Sequence, residues 1–198
     1  MRQAPMLEGM STRRSPLAMA LLSLVGEAPM HAYRMQQLIK ERHKDDVVNV
    51  AQRNSVYQTI ERLLRDGLIA VLETSREENR PEKTVYELTD EGRETLRQWM
   101  RTMLSTPSRE FPEFPAALAF LPVLEPEDAR AALETRVVAI EARVAALRTE
   151  LTDGARFLPR IFLVESEYQL AVLKAELEYV RGLVENLRTD EITWDYRM

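Results

Sequence analysis

The chain has 198 residues, of which 30% are charged, and it contains no cysteine and only two histidines. The lack of cysteine excludes a disulfide framework and a thiolate metal site, and His31 and His43 do not form a metal centre by themselves. We therefore expect neither a metal nor another cofactor. No run approaches about 18 apolar residues and the N-terminus lacks an apolar signal core, which predicts a cytoplasmic protein.

The net charge of −5 is distributed unevenly along the chain. Residues 1–106 carry 16 Lys and Arg against 15 Asp and Glu, whereas residues 107–198 carry 11 against 17. DNA affinity depends on where the basic groups point rather than on the total charge. The acidic second half therefore does not exclude a first half that binds DNA.

The first predicted elements are two helices. Ser15 is a suitable N-cap, Pro16 fits the first helical position, and Gly26 is expected to end the first helix. The second helix is predicted over residues 31–42, with His31 as a structural or capping residue rather than a DNA contact. Its candidate inward side chains are Met30, Tyr33, Leu38 and Ile39.

The third predicted helix and the strands that follow it are the most informative part of the chain. The helix, residues 54–65, has an apolar face and is followed by Gly67 as a stop. Two β-type runs, residues 68–72 and 84–88, come next and are joined by a charged loop. This order is typical of a winged helix-turn-helix, in which the helix enters the DNA major groove and the hairpin tip contacts the neighbouring backbone or minor groove.

The exposed side of the third helix and the hairpin loop provide the candidate DNA contacts. Short amides and hydroxyls can bond base edges or phosphates, and arginine can bind guanine or a phosphate. The predicted contacts are Arg53, Asn54, Ser55, Tyr57, Gln58, Thr59 and Arg62 on the helix, and Arg80 and Lys83 on the wing. The alternative is an ordinary surface helix, on which Tyr57 packs and the wing cations are merely solvated.

A connecting helix then leads to a break between two predicted domains. Thr89 is the expected N-cap of this helix, which should end near Ser105. Three prolines follow within residues 107–115, and we place the domain boundary there. The predicted domains are residues 1–106, a winged helix-turn-helix with its connecting helix, and residues 107–198, a helical dimerisation domain.

The second domain is predicted to hold a short helix, residues 116–121, and two long ones. The first long helix, residues 126–152, has one apolar seam with heptad spacing, and the last, about residues 160–187, has two apolar stripes. The stripe that we assign to the dimer interface is Leu170, Leu173, Leu177, Val180, Val184 and Leu187. The other stripe is Tyr168, Val172, Ala175, Tyr179 and Leu183.

A helix with two apolar stripes must bury two faces. One stripe can pack on the preceding helix, and the least costly partner for the other is the same helix of a second chain. The spacing alone does not indicate which stripe meets which partner. We therefore expect a homodimer and leave the choice of face open.

The first half, about residues 15–105, resembles the PadR family of bacterial transcriptional regulators. The matching segments are Ala18–Val25, Pro29–Tyr33, Asn54–Tyr57, Arg62–Leu63, Asp66–Ile69 and Tyr86–Gly92. They are similar to the family's apolar helix, its His-Gly-Tyr signature, its Ser-Leu-Tyr segment and its Tyr-x-Leu-Thr-x-x-Gly pattern. Two departures are Ala32 in place of glycine and Gln58 in place of the common proline, and Gln58 can supply a base contact that proline cannot.

The second half resembles the two-helix C-terminal domain of the Vir-type branch of that family. The resemblance implies a mainly α fold with a small β-hairpin, that is, an N-terminal winged helix-turn-helix and a C-terminal antiparallel helical dimerisation domain. It also implies a cytoplasmic dimeric regulator, usually a repressor, whose members often release DNA when they bind a small molecule. The expected partners are therefore double-stranded DNA with an inverted-repeat operator and a second copy of the chain.

A small hydrophobic or aromatic effector is a further expectation, with Trp99 and Met103 as the candidate pocket. Other apolar residues near the predicted joint are Met100, Phe111, Phe114 and Phe120. The alternative is that these side chains, Trp99 included, simply pack as core. A dimeric winged-helix adaptor that does not bind DNA also remains open. An enzyme is excluded, because the sequence shows no nucleophile with a base, no glycine-rich phosphate loop and no metal-ligand spacing.

Overall fold

The computed structural model describes residues 14–50, 53–75 and 83–195, except for the side chains at 53, 54, 75 and 83. Within these ranges the chain is mainly helical with a small antiparallel sheet, as predicted. It divides into two compact units, residues 1–109 and residues 110–198. We call them the N-terminal unit and the C-terminal unit.

The elements of the N-terminal unit follow the predicted order. They are α1 (Pro16–Glu27), β1 (Met30–His31), α2 (Ala32–Glu41), α3 (Arg53–Arg65), β2 (Ile69–Ser75), β3 (Lys83–Leu88) and α4 (Asp90–Ser105). Those of the C-terminal unit are α5 (Glu113–Ala119), α6 (Pro126–Gly154) and α7 (Val164–Arg188), with 3-10 turns at Leu121–Val123 and Arg160–Phe162. The short helix α5 begins earlier than predicted, because Pro115 is accepted in its first turn.

Side-chain caps start three helices of the N-terminal unit, and all three were predicted. The Ser15 hydroxyl accepts a hydrogen bond from the Ala18 amide at 3.1 Å, and the Thr89 hydroxyl accepts one from the Gly92 amide at 2.9 Å. His31 Nδ1 accepts a hydrogen bond from the Arg34 amide at 3.0 Å, which confirms its capping role. The predicted end of α1 at Gly26 is wrong, since the helix continues to Glu27.

The prediction for the inner face of α2 is corrected at one position. Tyr33 is 54% exposed and stacks on the His31 ring, with the ring centroids 6.3 Å apart. Met35 is fully buried instead, together with Leu38 and Ile39. The reason is helical spacing, because Met35 lies three and four residues before these two and therefore shares their face.

The sheet has the order β1-β3-β2. The short strand β1, which the sequence analysis missed, pairs Met30 with Tyr86 and His31 with Val85. Strand β2 pairs with the other edge of β3 and has a register shift between Val71 and Glu73. The hairpin is thus joined to the start of α2 as well as to the end of α3.

The start of α4 lies directly against the end of α3. The Thr89 hydroxyl donates a hydrogen bond to the Gly67 carbonyl at 2.8 Å, and Thr89 N donates to the Leu68 carbonyl at 3.3 Å. A Cβ on Gly92 would lie 1.9 Å from that Leu68 oxygen. Glycine is therefore required at position 92 for α4 to pack this closely.

In the C-terminal unit, α6 and α7 pack against each other in antiparallel orientation. Ile140 and Val144 of α6 form a buried cluster with Leu177 of α7, and Leu133 forms another with Val180, Leu183, Val184 and Leu187. Ion pairs of Arg136 with Glu176 and of Arg181 with Glu141 flank these clusters. The α6 seam is thus used as predicted.

This packing corrects the predicted dimer interface. The side chains assigned to it were Leu170, Leu173, Leu177, Val180, Val184 and Leu187, and they pack on α6 of the same chain. The last four are buried, and Leu170 and Leu173 are half-buried. Heptad spacing shows that a stripe must be covered but not which helix covers it.

The second stripe of α7 is largely exposed. Tyr168 is 70%, Val172 46% and Tyr179 59% exposed, and only Leu183 is buried within the unit. The second stripe is thus an exposed apolar face of α7, of a size that is uncommon on a surface that meets only water.

Candidate nucleic-acid interface

Helix α3 is held in the N-terminal unit by one apolar face and a glycine stop. Val56, Ile60 and Leu63 are buried in a core that also holds residues of α1, α2 and α4. Gly67 adopts a φ of 70°, and the amide of Leu68 donates to the Leu63 carbonyl at 2.9 Å, which closes the last turn. These contacts fix the rotation of α3 and so determine which of its side chains face outward.

The outward face of α3 is a row of polar side chains that we call the exposed row. Tyr57, Glu61 and Arg65 follow one another at four-residue spacing, and Gln58 lies beside Tyr57. All four are exposed. An amide, a carboxylate and a guanidinium on one helix face provide the donor and acceptor groups that read base edges.

Three predicted contacts lie on the flank of the helix instead. Ser55, Thr59 and Arg62 are half-buried. The Thr59 hydroxyl donates to the Ser55 carbonyl at 2.7 Å, and Arg62 Nε is buried with no hydrogen-bond partner among the described residues. Among the predicted helix contacts whose side chains the structure describes, Tyr57 and Gln58 are the exposed ones.

The remaining predicted contacts are only partly covered by the structure. Arg53 and Asn54 form the first turn of α3, but their side chains lie outside the described part. Lys83 opens β3 with its side chain likewise outside it, and Arg80 lies outside the described residues. The roles of these four residues stay predictions.

Sequence reasoning missed Glu61 and Arg65. The signal was the four-residue spacing from Tyr57, which places all three on one side of a helix. Arg65 is well exposed, and its Nε lies 3.4 Å from Asp66 Oδ1, which is too long for a strong ion pair. The Arg65 guanidinium can therefore turn toward a phosphate or a base at little cost.

The wing strand β3 supports the exposed row. Burial raises the pKa of Tyr86, a hydrogen bond with Thr84 lowers it, and the nearby Tyr57 and Glu61 raise it further. Tyr86 therefore stays a neutral hydroxyl, packed against the core beside α3. Tyr57 and Glu61 of the exposed row are therefore close enough to the wing strand for their charges to act on Tyr86.

The candidate effector-pocket residues are divided between the two units. Trp99 is buried in the core of the N-terminal unit, which confirms its interpretation as a packing residue, and Met103 is half-buried. Phe114 and Phe120, by contrast, line an apolar groove in the C-terminal unit. The role of Trp99 and Met103 in binding an effector stays a prediction.

This groove, of about 410 Å³, lies between α5, the Leu121–Val123 turn and the first turns of α6. Its polar group is the guanidinium of Arg136, which lies 3.6 Å above the ring centroid of Phe114 and bonds Glu176 through Nε at 2.7 Å. Trp194 Nε1 donates to the Leu124 carbonyl at 2.9 Å, so the chain after α7 also borders this region. We call it the apolar groove.

Comparisons with known proteins identify relatives of both sequence and fold. Residues 21–98 match the family model described as the transcriptional regulator PadR-like family. No curated protein matches the chain in sequence. Over the described residues, none of the helices has the length and apolar character that would let it span a membrane.

Solved structures with the same fold cover both units. Bacillus subtilis PadR in complex with operator DNA is 18% identical with a TM-score of 0.70, and the match covers 87% of this chain and 99% of that one. The same protein in complex with p-coumaric acid is 17% identical with a TM-score of 0.67, and the match covers 87% of this chain and 98% of that one. The Vibrio cholerae virulence activator AphA is 20% identical with a TM-score of 0.65, and the match covers 87% of this chain and 98% of that one.

Proposed function

We propose that the chain is a PadR-like transcriptional regulator, because residues 21–98 match the model of that family. In this proposal it is a homodimeric repressor that binds an inverted-repeat operator and is released by a small hydrophobic effector. The family consists of transcriptional regulators and not of enzymes. A regulator of transcription works where the chromosome is, so we place the protein in the bacterial cytoplasm. Its assignment to the Vir-type branch remains a prediction.

The observation that carries this proposal is the exposed row on α3 of a winged-helix unit. Gln58 can bond adenine through its amide, Glu61 can accept from the amino group of cytosine, and Arg65 can bind guanine or a phosphate. The amide groups in the first turn of α3 can meet a phosphate directly. The fold is shared with a PadR that was solved on its operator, which supports the same use of the helix here.

The homodimer is supported by the second stripe of α7. Tyr168, Val172 and Tyr179 are exposed apolar side chains on one face of a long helix. A two-fold axis through this face would cover the stripe of both chains at once. It would also present two α3 helices, so that the half-sites lie one helical turn or a multiple apart.

Release by an effector is supported by the relative that was solved with p-coumaric acid, a small aromatic acid. A ligand can shift this protein off DNA only if it binds the unbound conformation more tightly than the bound one. We infer the class of ligand, small and hydrophobic, and assign no pocket to it. Repression is the family's usual mode of action and is the part of the proposal that a reporter gene driven by the operator would test.

The test of the DNA proposal is to select genomic fragments with the purified protein and to compare variants of the exposed row on the selected operator. Gln58→Ala should lose preference at one base pair, by about 1–3 kcal/mol of discrimination. Glu61→Gln should relax the preference at a different base pair. It should also strengthen binding to all DNA sequences, because it removes a negative charge near phosphates. Fluorescence anisotropy over a range of salt concentrations measures both effects.

Glu91→Gln is the matched control, since it removes the same charge from an exposed position on α4. It should leave base preference unchanged. If Gln58→Ala and Glu61→Gln both select the wild-type sequence, the exposed row does not read bases. If the wild type retains no DNA even at low salt, the protein is an adaptor of winged-helix fold instead.

A further inference from the structure

The start of α1 lies beside the first turn of α3 in the N-terminal unit. Both border one cleft of about 430 Å³, which is lined by Ser15, Pro16, Leu17, Val47, Asn49 and Ser55. Ser55 is the third residue of α3. In a helix-turn-helix the N-terminal residues of the recognition helix contact the base edges. The start of α1 is therefore at the end of α3 that lies nearest to DNA.

The wing lies on the other flank of α3. Successive residues of a helix are rotated by about 100°, so the side chains of Ser55 and Tyr57 point to nearly opposite sides of α3. Tyr57 is close enough to the wing strand to raise the pKa of Tyr86, whereas Ser55 shares the cleft with the start of α1. Helix α3 thus lies between the wing on one side and the start of α1 on the other.

The residue immediately before the cap of α1 is an arginine without a partner. The side chain of Arg14 is exposed, and among the described residues it forms neither an ion pair nor a hydrogen bond. Arg34 and Arg42 of the same unit differ from it, because they pair with Glu41 and Glu27, respectively. The charge of Arg14 is therefore not neutralised within the described part of the fold.

The cap of α1 also holds the main chain at Arg14 in place. Ser15 has an extended backbone, its hydroxyl accepts a hydrogen bond from the Ala18 amide, and its carbonyl accepts one from the Met19 amide at 3.0 Å. Pro16 fixes φ at the next position. A contact made by the Arg14 side chain therefore requires little further ordering of the main chain, which favours binding.

The phosphates of DNA pass both flanks of a helix that enters the major groove. The groove is about 12 Å wide, and the backbones of the two strands form its walls. The wing contacts the backbone or minor groove on one side of the recognition helix. The strand on the other side of α3 then runs past the cleft and the start of α1, where Arg14 lies.

We propose that Arg14 binds a DNA phosphate on the side of α3 opposite to the wing. The inference rests on the proposed DNA binding and extends it to a residue outside α3 and the hairpin. A guanidinium can pair with a phosphate through two parallel hydrogen bonds. The contact occurs once per chain and positions α3 in the groove without selecting a sequence, since phosphates carry no sequence information.

The salt dependence of operator binding by full-length Arg14→Gln tests this contact. Loss of one phosphate contact per chain removes two from a dimer, so the slope of log affinity against log salt concentration should become less steep by roughly 2. Binding should weaken by about tenfold at physiological salt, and to a similar extent for every DNA sequence. Arg14→Lys keeps the charge and should retain most of the slope. Fluorescence anisotropy measures these quantities.

Arg93→Gln is the matched control. Arg93 is also exposed and, within the described ranges, has no ion pair, but it lies in the first turn of α4, whose cap Thr89 bonds to Gly67 after the end of α3. Since α3 has 13 residues and is about 20 Å long, the two arginines lie at opposite ends of it. Arg93→Gln should keep the slope of the wild type. Equal slopes for Arg14→Gln and Arg93→Gln, or a change of base preference in Arg14→Gln, would overturn the proposal.

The absence of cysteine from the chain allows the position of Arg14 on DNA to be measured directly. Arg14→Cys and Arg93→Cys are each labelled with iron–EDTA, which cleaves the DNA backbone near the label when ascorbate and peroxide are added. Arg14→Cys should cleave the backbone beside each half-site, and Arg93→Cys should give only background. Equal cleavage by both, or none by Arg14→Cys on bound DNA, contradicts the phosphate contact. A wild type that binds no DNA even at low salt contradicts the proposed function instead.

Discussion

The two units of this protein use their apolar side chains in different ways. In the N-terminal unit, residues from α1 to α4 share a core cluster that is closed by the chain itself, and Trp99 is part of it. In the C-terminal unit, α6 and α7 bury one stripe each, while large aromatic side chains such as Phe157 and Phe162 remain exposed. The N-terminal unit thus buries most of its large apolar side chains, whereas the C-terminal unit leaves several of them exposed.

The difference follows from the number of layers that each unit contains. Four helices and a sheet can enclose a core on several sides, whereas a hairpin of two long helices has only one shared face. Any further apolar stripe on such a hairpin must be covered by another chain or remain in water. The N-terminal unit is therefore free to present polar groups on α3, and the C-terminal unit is suited to assembly.

The largest effect is expected from breaking the closed core of the N-terminal unit at Gly92. Gly92→Ala places a Cβ against the Leu68 carbonyl and within 2.9 Å of a Leu88 methyl group, so α4 must move away from the end of α3. We expect a loss of about 3 kcal/mol or more in the free energy of unfolding, measured by urea denaturation. The loss should be the same at every protein concentration.

Gly67→Ala is the control that separates close packing from backbone conformation. Gly67 has a φ of 70°, but a Cβ there meets no described atom within 4 Å. Alanine at this position is therefore penalised only by the left-handed backbone conformation, which should lower the free energy of unfolding by about 1–2 kcal/mol. If Gly92→Ala costs no more than Gly67→Ala, the contact between α4 and Leu68 is not what closes this unit.

The next largest effect concerns the exposed face of the C-terminal unit. Val172→Glu puts a carboxylate on the second stripe, the face that the proposed homodimer buries, and should weaken the dimer by about 3 kcal/mol, or roughly 100-fold in the dissociation constant. Thr149→Glu adds the same charge on the outer side of α6 and should leave the dimer intact. Sedimentation equilibrium over a range of concentrations measures both.

Leu177→Asp sharpens the same contrast. Leu177 is buried against Ile140 and Val144 of its own chain, so a charge there should unfold the hairpin itself rather than only separate two chains. Its destabilisation should therefore not depend on concentration, unlike that of Val172→Glu. If Leu177→Asp instead gives a folded monomer, the stripe that contains Leu177 forms the dimer interface, as the sequence analysis assigned it.

The sequence predicts those features that depend on local chemistry. The caps at Ser15, His31 and Thr89 and the stop at Gly67 each involve only a few neighbouring residues, and all four are found. The sequence does not predict which other element, or which other chain, covers an apolar face. Heptad spacing on α7 fits both an intramolecular and an intermolecular partner, and two residues are too short a pattern to indicate strand β1.

The candidate site shows the same limit. Tyr57 and Gln58 are exposed as predicted, because the apolar spacing of α3 fixes its rotation. The displacement of Thr59 and Arg62 to the flank depends on how closely the neighbouring elements approach α3, and no local pattern gives that distance. The four-residue spacing from Tyr57 also places Glu61 on this face, although a carboxylate is not the residue type expected near phosphates.

The smallest effect that we expect concerns the pair of Glu27 and Arg42, which ties α1 to the end of α2. Two hydrogen bonds of 2.7 Å join the carboxylate to the guanidinium, and these bonds, with the charge of Arg42, lower the pKa of Glu27 against an opposing effect of burial. A carboxyl whose pKa is lower in the folded than in the unfolded protein stabilises the fold above its unfolded pKa of about 4.3. That contribution is lost as the pH falls through the lower, folded value.

Glu27→Gln should therefore destabilise the protein at pH 7, and the difference from the wild type should disappear below about pH 4. Because both side chains are nearly half exposed, screening by solvent limits the difference to less than about 1 kcal/mol. Thermal denaturation of both proteins from pH 7 to pH 3 measures it, and added salt should also reduce it. A difference that persists unchanged at pH 3 would show that Glu27 acts through its packing on the N-terminal unit and not through its charge.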